Sequence, residues 1–370
     1  MIYIAFLVGI IVLVYVAMML YFTYGVLKMR PLQQLSLATP PVSVVVPLHN
    51  EENYALKTLE CLAAQDYTGQ FQIICVDDRS TDATPQILAD FCQDKPNFQF
   101  LSIPLDADTV PSPKKRALET GFKLADGEIF MTMDADCEPP MVWISSMVSK
   151  FVDGIDIVQG PKRILLKENN ILQNYQTIDT LGFTLIEGAF FTLNNPMLAS
   201  APSLGYRREL YEKVGGFDGL RELVSGDDDM LVQKMSEHAQ GIGYNLDPEA
   251  QVGTAPMLTW KGLFSQRARW ASNGAEYDSK LYIILLLCVY FFFVWCLIAP
   301  LLGILGWMSW SLIIGFYVIK ILVDFLFLWC GARKLQCTQI VFRNFFVGWL
   351  IQIPLSAWAA PAGHFKWYKW

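Results

Sequence analysis

Asp134 and Asp136 stand two residues apart at the end of the apolar run Ile129-Phe130-Met131-Thr132-Met133. On an extended chain, side chains at i and i+2 project to the same side, so both carboxylates face one way and Ala135 the other. The carboxyl end of a strand is where open α/β sheets bind their ligands. Two adjacent anions are not buried there without partners. A divalent cation, which prefers oxygen donors and is often shared with a diphosphate, would serve both. A solvated turn uses the same residues with no ligand, so the other motifs have to decide.

Asp77-Asp78-Arg79-Ser80-Thr81-Asp82 follows a second apolar run, residues 71–76. It suits either a turn with helix-capping residues or a nucleotide site, whose carboxylates accept hydrogen bonds from base and ribose. Lys114-Lys115-Arg116 opens a helical pattern. Cations are disfavoured at a helix N-terminus, and a diphosphate between that helix and the sheet would remove the conflict. Gly226-Asp227-Asp228-Asp229 precedes Met230, Leu231, Val232 and Met235, the apolar side of another helix. Helix capping accounts for one or two of these acids. Crowding three raises the pKa of one, which could then take a proton from a hydroxyl near neutral pH. Gln266-Arg267-Ala268-Arg269-Trp270 reads in two ways. It is an interfacial anchor, with arginines on lipid phosphates and tryptophan at headgroup level. Or it is a catalytic mouth, where arginine stabilises a departing diphosphate and tryptophan stacks on a sugar ring.

These residues need elements to position them. Residues 42–46, 71–76, 98–101 and 129–133 are short apolar runs that predict strands. Helical spacing begins at Asn50 and recurs over residues 83–91 and 114–124. The repeated alternation predicts an α/β domain with a mostly parallel sheet and right-handed crossovers. Residues 171–191 predict an amphipathic helix, either a core helix or part of a membrane-facing mouth.

The 370 residues are 53% apolar with a formal charge of −7, and the apolar residues gather at the two ends. Residues 2–27 carry no charge, lack a small-residue cleavage site after them, and are followed by Lys28 and Arg30. They predict a transmembrane anchor over residues 1–30, with the next domain cytosolic. Residues 31–41 read as a proline-bounded linker, residues 42–279 as the α/β domain, and residues 280–370 as a membrane domain with two or three transmembrane helices. Lys320 and Asp324 interrupt one of those spans four residues apart, a spacing that predicts a pair. Residues 340–360 contain Arg343, Asn344, Gln352 and Pro354 and are expected to span too. A full crossing would place Lys366 and Lys369 outside, against the positive-inside tendency, so a re-entrant or interfacial course stays open. The acidic balance gives no support for a nucleic-acid partner. Three histidines and no Cys-x-x-Cys pair argue against zinc, and the eight cysteines are expected to be free thiols.

The motifs also carry a resemblance. Its first elements are Val44-Val45-Val46-Pro47-Leu48-His49-Asn50-Glu51, then residues 76–82, then Lys114-Lys115-Arg116-Ala117-Leu118. Asp134-Ala135-Asp136 follows, then Tyr206-Arg207-Arg208-Glu209 running into Gly215-Gly216-Phe217, Gly226-Asp227-Asp228 and residues 266–270. In this order they resemble the membrane-integrated family 2 glycosyltransferases, relatives of cellulose, chitin and hyaluronan synthases and of ceramide glucosyltransferase. The resemblance implies a nucleotide-sugar-binding, glycosyltransferase A-type α/β domain with a mostly parallel mixed sheet, flanked by transmembrane helices. It implies an inverting transfer from a nucleoside-diphosphate sugar, a UDP-sugar being favoured, with Mg²⁺ or Mn²⁺. Carried over by residue, Asp77 and Asp78 would contact the base and Lys114 would lie near the nucleotide. Asp134 would serve ribose and metal, and Asp136 would be the more direct metal ligand. Asp228 matches the general base, and Gln266, Arg269 and Trp270 match the acceptor and diphosphate end. Arg79 stands where the pattern usually has glycine, His49 where tyrosine is frequent, and Asp227 where glutamate is usual. These departures bear on substrate identity more than on mechanism.

The expected acceptor is a hydroxyl of a lipid or lipid-linked molecule at the cytosolic face of the membrane, an arrangement that fits a bacterial inner membrane. A processive polysaccharide synthase would need a channel, usually built from more helices than these three or four. A non-catalytic nucleotide-sugar-binding membrane protein has no reason to keep Asp134, Asp136, Asp228, Arg269 and Trp270 together. Oligomeric state is not legible in the sequence.

Overall fold

A strand buried along its whole length has to lie inside a sheet covered on both faces. Strand β1 (Val42–Leu48) is buried at all seven positions and is an interior strand of the larger sheet in the α/β part of the molecule. The computed structural model describes residues 2–31, 36–107, 110–277 and 279–368; residues 32–35 of the expected linker and Lys369 lie outside them. By packing, the chain falls into two units. One comprises Lys28–Leu165 with Ile186–Ala255, the other Met1–Leu27 with Leu166–Leu185 and Pro256–Trp370.

In the first unit, β1 pairs in parallel with β2 (Phe71–Asp78) on one side and β4 (Ile129–Thr132) on the other, and β3 (Phe98–Ile103) extends the sheet beyond β2, also parallel. Beyond β4, β8 (Leu204–Arg207) runs antiparallel to both its neighbours, β4 and β6 (Ile157–Gln159), and β9 (Ile242–Tyr244) closes the sheet parallel to β6. The order is β3-β2-β1-β4-β8-β6-β9, and a smaller sheet holds β5 (Cys137–Glu138), β10 (Val252–Thr254) and β7 (Lys162–Ile164). The sheet is mixed and mostly parallel, as the alternation predicts. Helices α2 (Ala55–Ala63), α3 (Thr84–Cys92) and α4 (Pro113–Leu124) connect the parallel strands; α5 (Trp143–Val148), α7 (Arg208–Lys213) and α8 (Asp229–Ser236) follow. Helix α4 lies against β1 at Gly121, where a Cβ would come 2.4 Å from Val45 Cγ1.

Strands β2 and β3 each run two residues past the expected 71–76 and 98–101, and the boundary after β1 differs more. The helical pattern from Asn50 yields a helix only at Ala55. Asn50 adopts a left-handed φ of 55°, and the loop it opens is tied to the loop after β2. The Asn50 amide donates to Ser80 Oγ (2.8 Å), the Thr81 amide to Asn50 Oδ1 (2.8 Å), and the Glu51 amide to Thr84 Oγ1 (2.8 Å). Inter-loop hydrogen bonds thus outcompete local helix propensity, which is the weaker term.

The second unit contains α1 (Ile2–Lys28), the first two-thirds of α6 (Ile171–Thr192), α9 (Trp260–Ala271), α10 (Lys280–Ile304), α11 (Trp310–Lys334) and α12 (Thr338–His364). Among the described residues, four helices are long and apolar enough to cross a membrane: residues Val8–Lys28 of α1, and α10, α11 and α12. Helix α12 continues for 27 residues through Pro354 and Pro361. Small residues let these helices approach closely: a Cβ on Gly348 would meet Ile178 Cγ2 at 2.3 Å, and one on Gly363 would meet the Ala268 carbonyl at 2.6 Å. The predicted Lys320–Asp324 pair forms, Nζ to Oδ2 at 2.5 Å, with Tyr15 OH donating to Asp324 Oδ1 at 2.7 Å. The Lys320 ammonium is boxed by Phe293, Trp349 and Tyr15, 5.3, 5.4 and 5.7 Å from the ring centroids.

Breaking a buried pair strands the surviving charge, whereas removing both charges does not. Asp324→Leu is expected to lower stability by about 3–5 kcal/mol, and Lys320→Met/Asp324→Leu to recover most of the loss. Thermal unfolding in detergent checks this; an Asp324→Leu protein as stable as the parent would show that the lysine finds water.

Candidate active site

Strand order places β1 between β2 and β4, so the loops leaving the carboxyl ends of these three strands share one edge of the sheet. The loops after β1 and β4 carry Glu51 and Asp134-Ala135-Asp136, while Asp77 and Asp78, expected in the turn after β2, are the last two residues of that strand. The Asp134–Asp136 turn is held by its backbone: Thr58 Oγ1 donates to the Ala135 carbonyl (2.7 Å) and the Ala255 amide to the Asp136 carbonyl (3.0 Å). The carboxylates are thereby left for other partners.

Lys114, near the start of α4, is the first of them. Its Nζ lies 2.8 Å from Asp134 Oδ1 and 2.8 Å from Asp227 Oδ2. Burial by itself would lower its pKa; Asp134, Asp227 and Asp228 outweigh burial and hold it well above the ordinary lysine value. Lys115, the next residue, donates to the carbonyls of Leu220 (2.8 Å), Leu223 (2.9 Å) and Ser225 (2.6 Å). It pins the loop that ends at Gly226, whose φ of +84° suits glycine. Arg116 Nε reaches Asp78 Oδ2 at 3.1 Å. The three cations at this helix start are therefore compensated by protein acids and carbonyls.

Asp228 caps α8: its Oδ1 accepts from the Asp229 amide (2.8 Å) and its Oδ2 from the Ala201 amide (3.2 Å). Burial first, then Asp227 and Asp229, raise its pKa from 3.8 to about 8. Burial and then Asp134 raise Asp136 to about 6. Glu51 is raised to about 8 by burial, then by Asp136, Asp134 and Asp82. Motif reading passed over Glu51 as a site residue; the signal was the strand alternation, which seats the end of β1 next to that of β4.

Asp77 and Asp78 are both 1% exposed. Ser102 Oγ (2.9 Å) and the Ser80 amide (3.3 Å) donate to Asp77; Arg79 Nε (2.9 Å) and Arg116 donate to Asp78. Arg79 itself sits at a left-handed φ of 61°, which explains the glycine usual in the resembling motifs.

Asp134, Asp136 and Cys137 place their donor atoms within 4.8 Å of one another. Burial, then Asp136 and Asp134, hold the Cys137 thiol well above its ordinary pKa, so it stays neutral. The donors that remain are carboxylate oxygens, a set that fits Mg²⁺ or Mn²⁺.

The structure thus gathers Asp77, Asp78, Lys114, Asp134, Asp136 and Asp228 in one unit, with Lys114 joining Asp134 to the acidic turn of Asp228. Gln266, Arg269 and Trp270 lie on α9 in the other unit. There Trp270 is 39% exposed, and Gln266 Oε1 accepts from Arg267 Nη1 at 2.9 Å.

Residues 43–215 match the family model described as Glycosyl transferase family 2. The chain is 25% identical over 350 residues to the Bacillus subtilis protein named "Probable glycosyltransferase YdaM", covering 86% of this chain and 80% of that one. It is 26% identical over 264 residues to the beta-monoglucosyldiacylglycerol synthase of Nostoc, covering 68% and 53%. It is 27% identical over 243 residues to the poly-beta-1,6-N-acetyl-D-glucosamine synthase of Staphylococcus epidermidis, covering 64% and 55%. The chain thus spans about half the length of these two synthases. The solved mannosyltransferase PcManGT of Pyrobaculum calidifontis, a complex with GDP-Man and Mn²⁺, superposes with a TM-score of 0.57 at 16% identity, over 97% of this chain and 98% of its own, and shares the fold. With the family model on the strands that carry the acids, the glycosyltransferase relatives and the shared fold, the chain is a transferase that carries a glycosyl transferase family 2 domain over residues 43–215.

Proposed function

We propose that this enzyme transfers a sugar, with inversion, from a nucleoside-diphosphate sugar to a hydroxyl of a lipid or lipid-linked acceptor. The observation that carries this reading is the double contact of Lys114, which ties the strand-end acid Asp134 to the turn holding Asp228. It puts a donor-side group and a raised-pKa base in one cluster. In this reading Asp77 and Asp78 line the base pocket, and Asp134 and Asp136 hold Mg²⁺ or Mn²⁺. The ion would supply positive charge to the leaving diphosphate. Asp228, ionised, accepts the proton of the acceptor hydroxyl as oxygen attacks the anomeric carbon from the face opposite the diphosphate. Arg269 adds a cationic contact to the departing group, and Gln266 and Trp270 serve the acceptor. The lipid acceptor is supported by the four apolar helices and by the Nostoc relative, whose name is that of a glycolipid synthase. The Staphylococcus relative, named as a polysaccharide synthase, supports polymerisation as the second reading. The corresponding organisation is a membrane anchor over residues 1–30, a linker over 31–41, a cytosolic transferase domain over 42–279 and a membrane domain over 280–370, in a bacterial inner membrane.

Incubation with Mn²⁺, membrane lipids and radiolabelled UDP- and GDP-sugars tests the reading. Solvent-extractable label supports glycolipid synthesis, and insoluble label supports polymerisation. Asp228→Asn is expected to lower transfer about 10²–10⁴-fold while leaving nucleotide binding intact; near-parental transfer would remove Asp228 from the mechanism. The pH profile follows from the raised pKa. The carboxyl is protonated well below pH 8 and ionises as pH rises through about 8, so the rate should climb with pH and level off above that value. A profile flat from pH 6 to 9 would contradict it. Asp136→Asn should weaken Mn²⁺-dependent nucleotide binding at least about tenfold, read by titration calorimetry with and without chelator.

A further inference from the structure

Arg267 has no part in the scheme above, yet it is the most buried side chain of the 266–270 segment apart from Ala268, at 8% exposed. Its guanidinium pairs with Asp179 of α6. Tyr175 OH, 3.0 Å away, donates to the other Asp179 oxygen and fixes that carboxylate in turn. Arg267 also reaches both neighbours assigned to the acceptor. Its Nη1 donates to Gln266 Oε1 at 2.9 Å, and its Cζ lies 4.1 Å from the centroid of the Trp270 ring. Arg267 and Trp270 stand three apart on one helix face, which permits this stacking. Phe183 of α6 meets the same indole edge-on, centroids 5.7 Å apart and planes at 86°.

An anchor between α9 and α6 needs only a charge opposite Asp179. Arg267 does more: it reaches Gln266 and lies over the Trp270 ring at the same time, a set of contacts that the point charge of lysine cannot reproduce. Among the described residues its buried Nε has no hydrogen-bond partner. The guanidinium is thus held by two hydrogen-bonded neighbours, Asp179 and Gln266, and by the indole beneath its Cζ. Trp270 still keeps 39% of its surface open.

We propose that Arg267 is a positioning residue for acceptor recognition: locked by Asp179, it holds the Gln266 carboxamide and one face of the Trp270 indole so that the open part of the ring receives the polyhydroxylated or polar end of the acceptor. This rests on the reading that Gln266 and Trp270 serve the acceptor.

The experiment compares Trp270→Leu, Arg267→Lys, Arg267→Met and the Arg267→Lys/Trp270→Leu double variant in the full-length protein. Each is assayed in detergent with membrane-lipid extract as acceptor and the active labelled donor, measuring kcat/KM for the extract and KM for the donor separately. Arg267→Lys keeps the charge for Asp179 and loses the stacking plane. It should lower kcat/KM for the extract 10- to 100-fold, leave the donor KM unchanged, and add little to the loss caused by Trp270→Leu. If Trp270→Leu is impaired toward the extract while Arg267→Lys matches the parent, or if the two losses multiply, the positioning role is wrong and Arg267 is a scaffold residue. If Trp270→Leu itself leaves kcat/KM for the extract untouched, the acceptor reading fails and the proposal with it. Should Arg267→Met not fold, Arg267→Lys and Asp179→Asn decide between the same outcomes.

Discussion

The site depends on one ammonium group between two carboxylates. Asp134 and Asp227 come from distant parts of the chain, and each stands beside further acids, Asp136 on one side and Asp228 and Asp229 on the other. Without a cation among them, burial and mutual repulsion would protonate the cluster or push its members apart. Lys114 supplies that cation at 2.8 Å to both. It offsets only part of the cost of burial and of the neighbouring acids, so burial first and those acids second keep Asp228 and Asp136 raised to about 8 and about 6.

The three consecutive cations of α4 divide their work. Lys114 faces the acids, Lys115 holds three carbonyls of the loop before Gly226, and Arg116 faces Asp78. A single helical turn thereby connects Asp78, the strand-end acid Asp134 and the turn of Asp227 and Asp228. Asp78 is also held by Arg79, a residue accepted at a left-handed φ where glycine is easier. The ion pair that results offsets part of that backbone strain.

In the other unit, a similar economy governs the apolar helices. Glycines such as Gly348 and Gly363 allow close packing, and the charged pair of α11 is sealed by Tyr15 and by aromatic rings from α10 and α12. The same device recurs at α9, where Arg267 is paired with Asp179 and covered by Trp270. Burying a cation under aromatic faces keeps it neutralised and dry while fixing the rings themselves.

Much of this was legible along the chain. Alternation of short β-branched runs with helical spacing determined a mostly parallel α/β sheet, because side-chain period follows directly from backbone geometry. Residue type and order determined the family resemblance and the acids at the strand ends, and the i,i+4 spacing of Lys320 and Asp324 determined their pairing. What the sequence could not show was which charges meet across long separations. Glu51 joins Asp134 and Asp136 only because β1 lies next to β4. Lys115 and Arg267, neighbours of residues that motif reading singled out, proved to be the ones that hold backbone carbonyls and an indole ring. Local pattern determines which face a side chain occupies, whereas its partner is set by strand order and helix packing, and these exist only once the chain has folded.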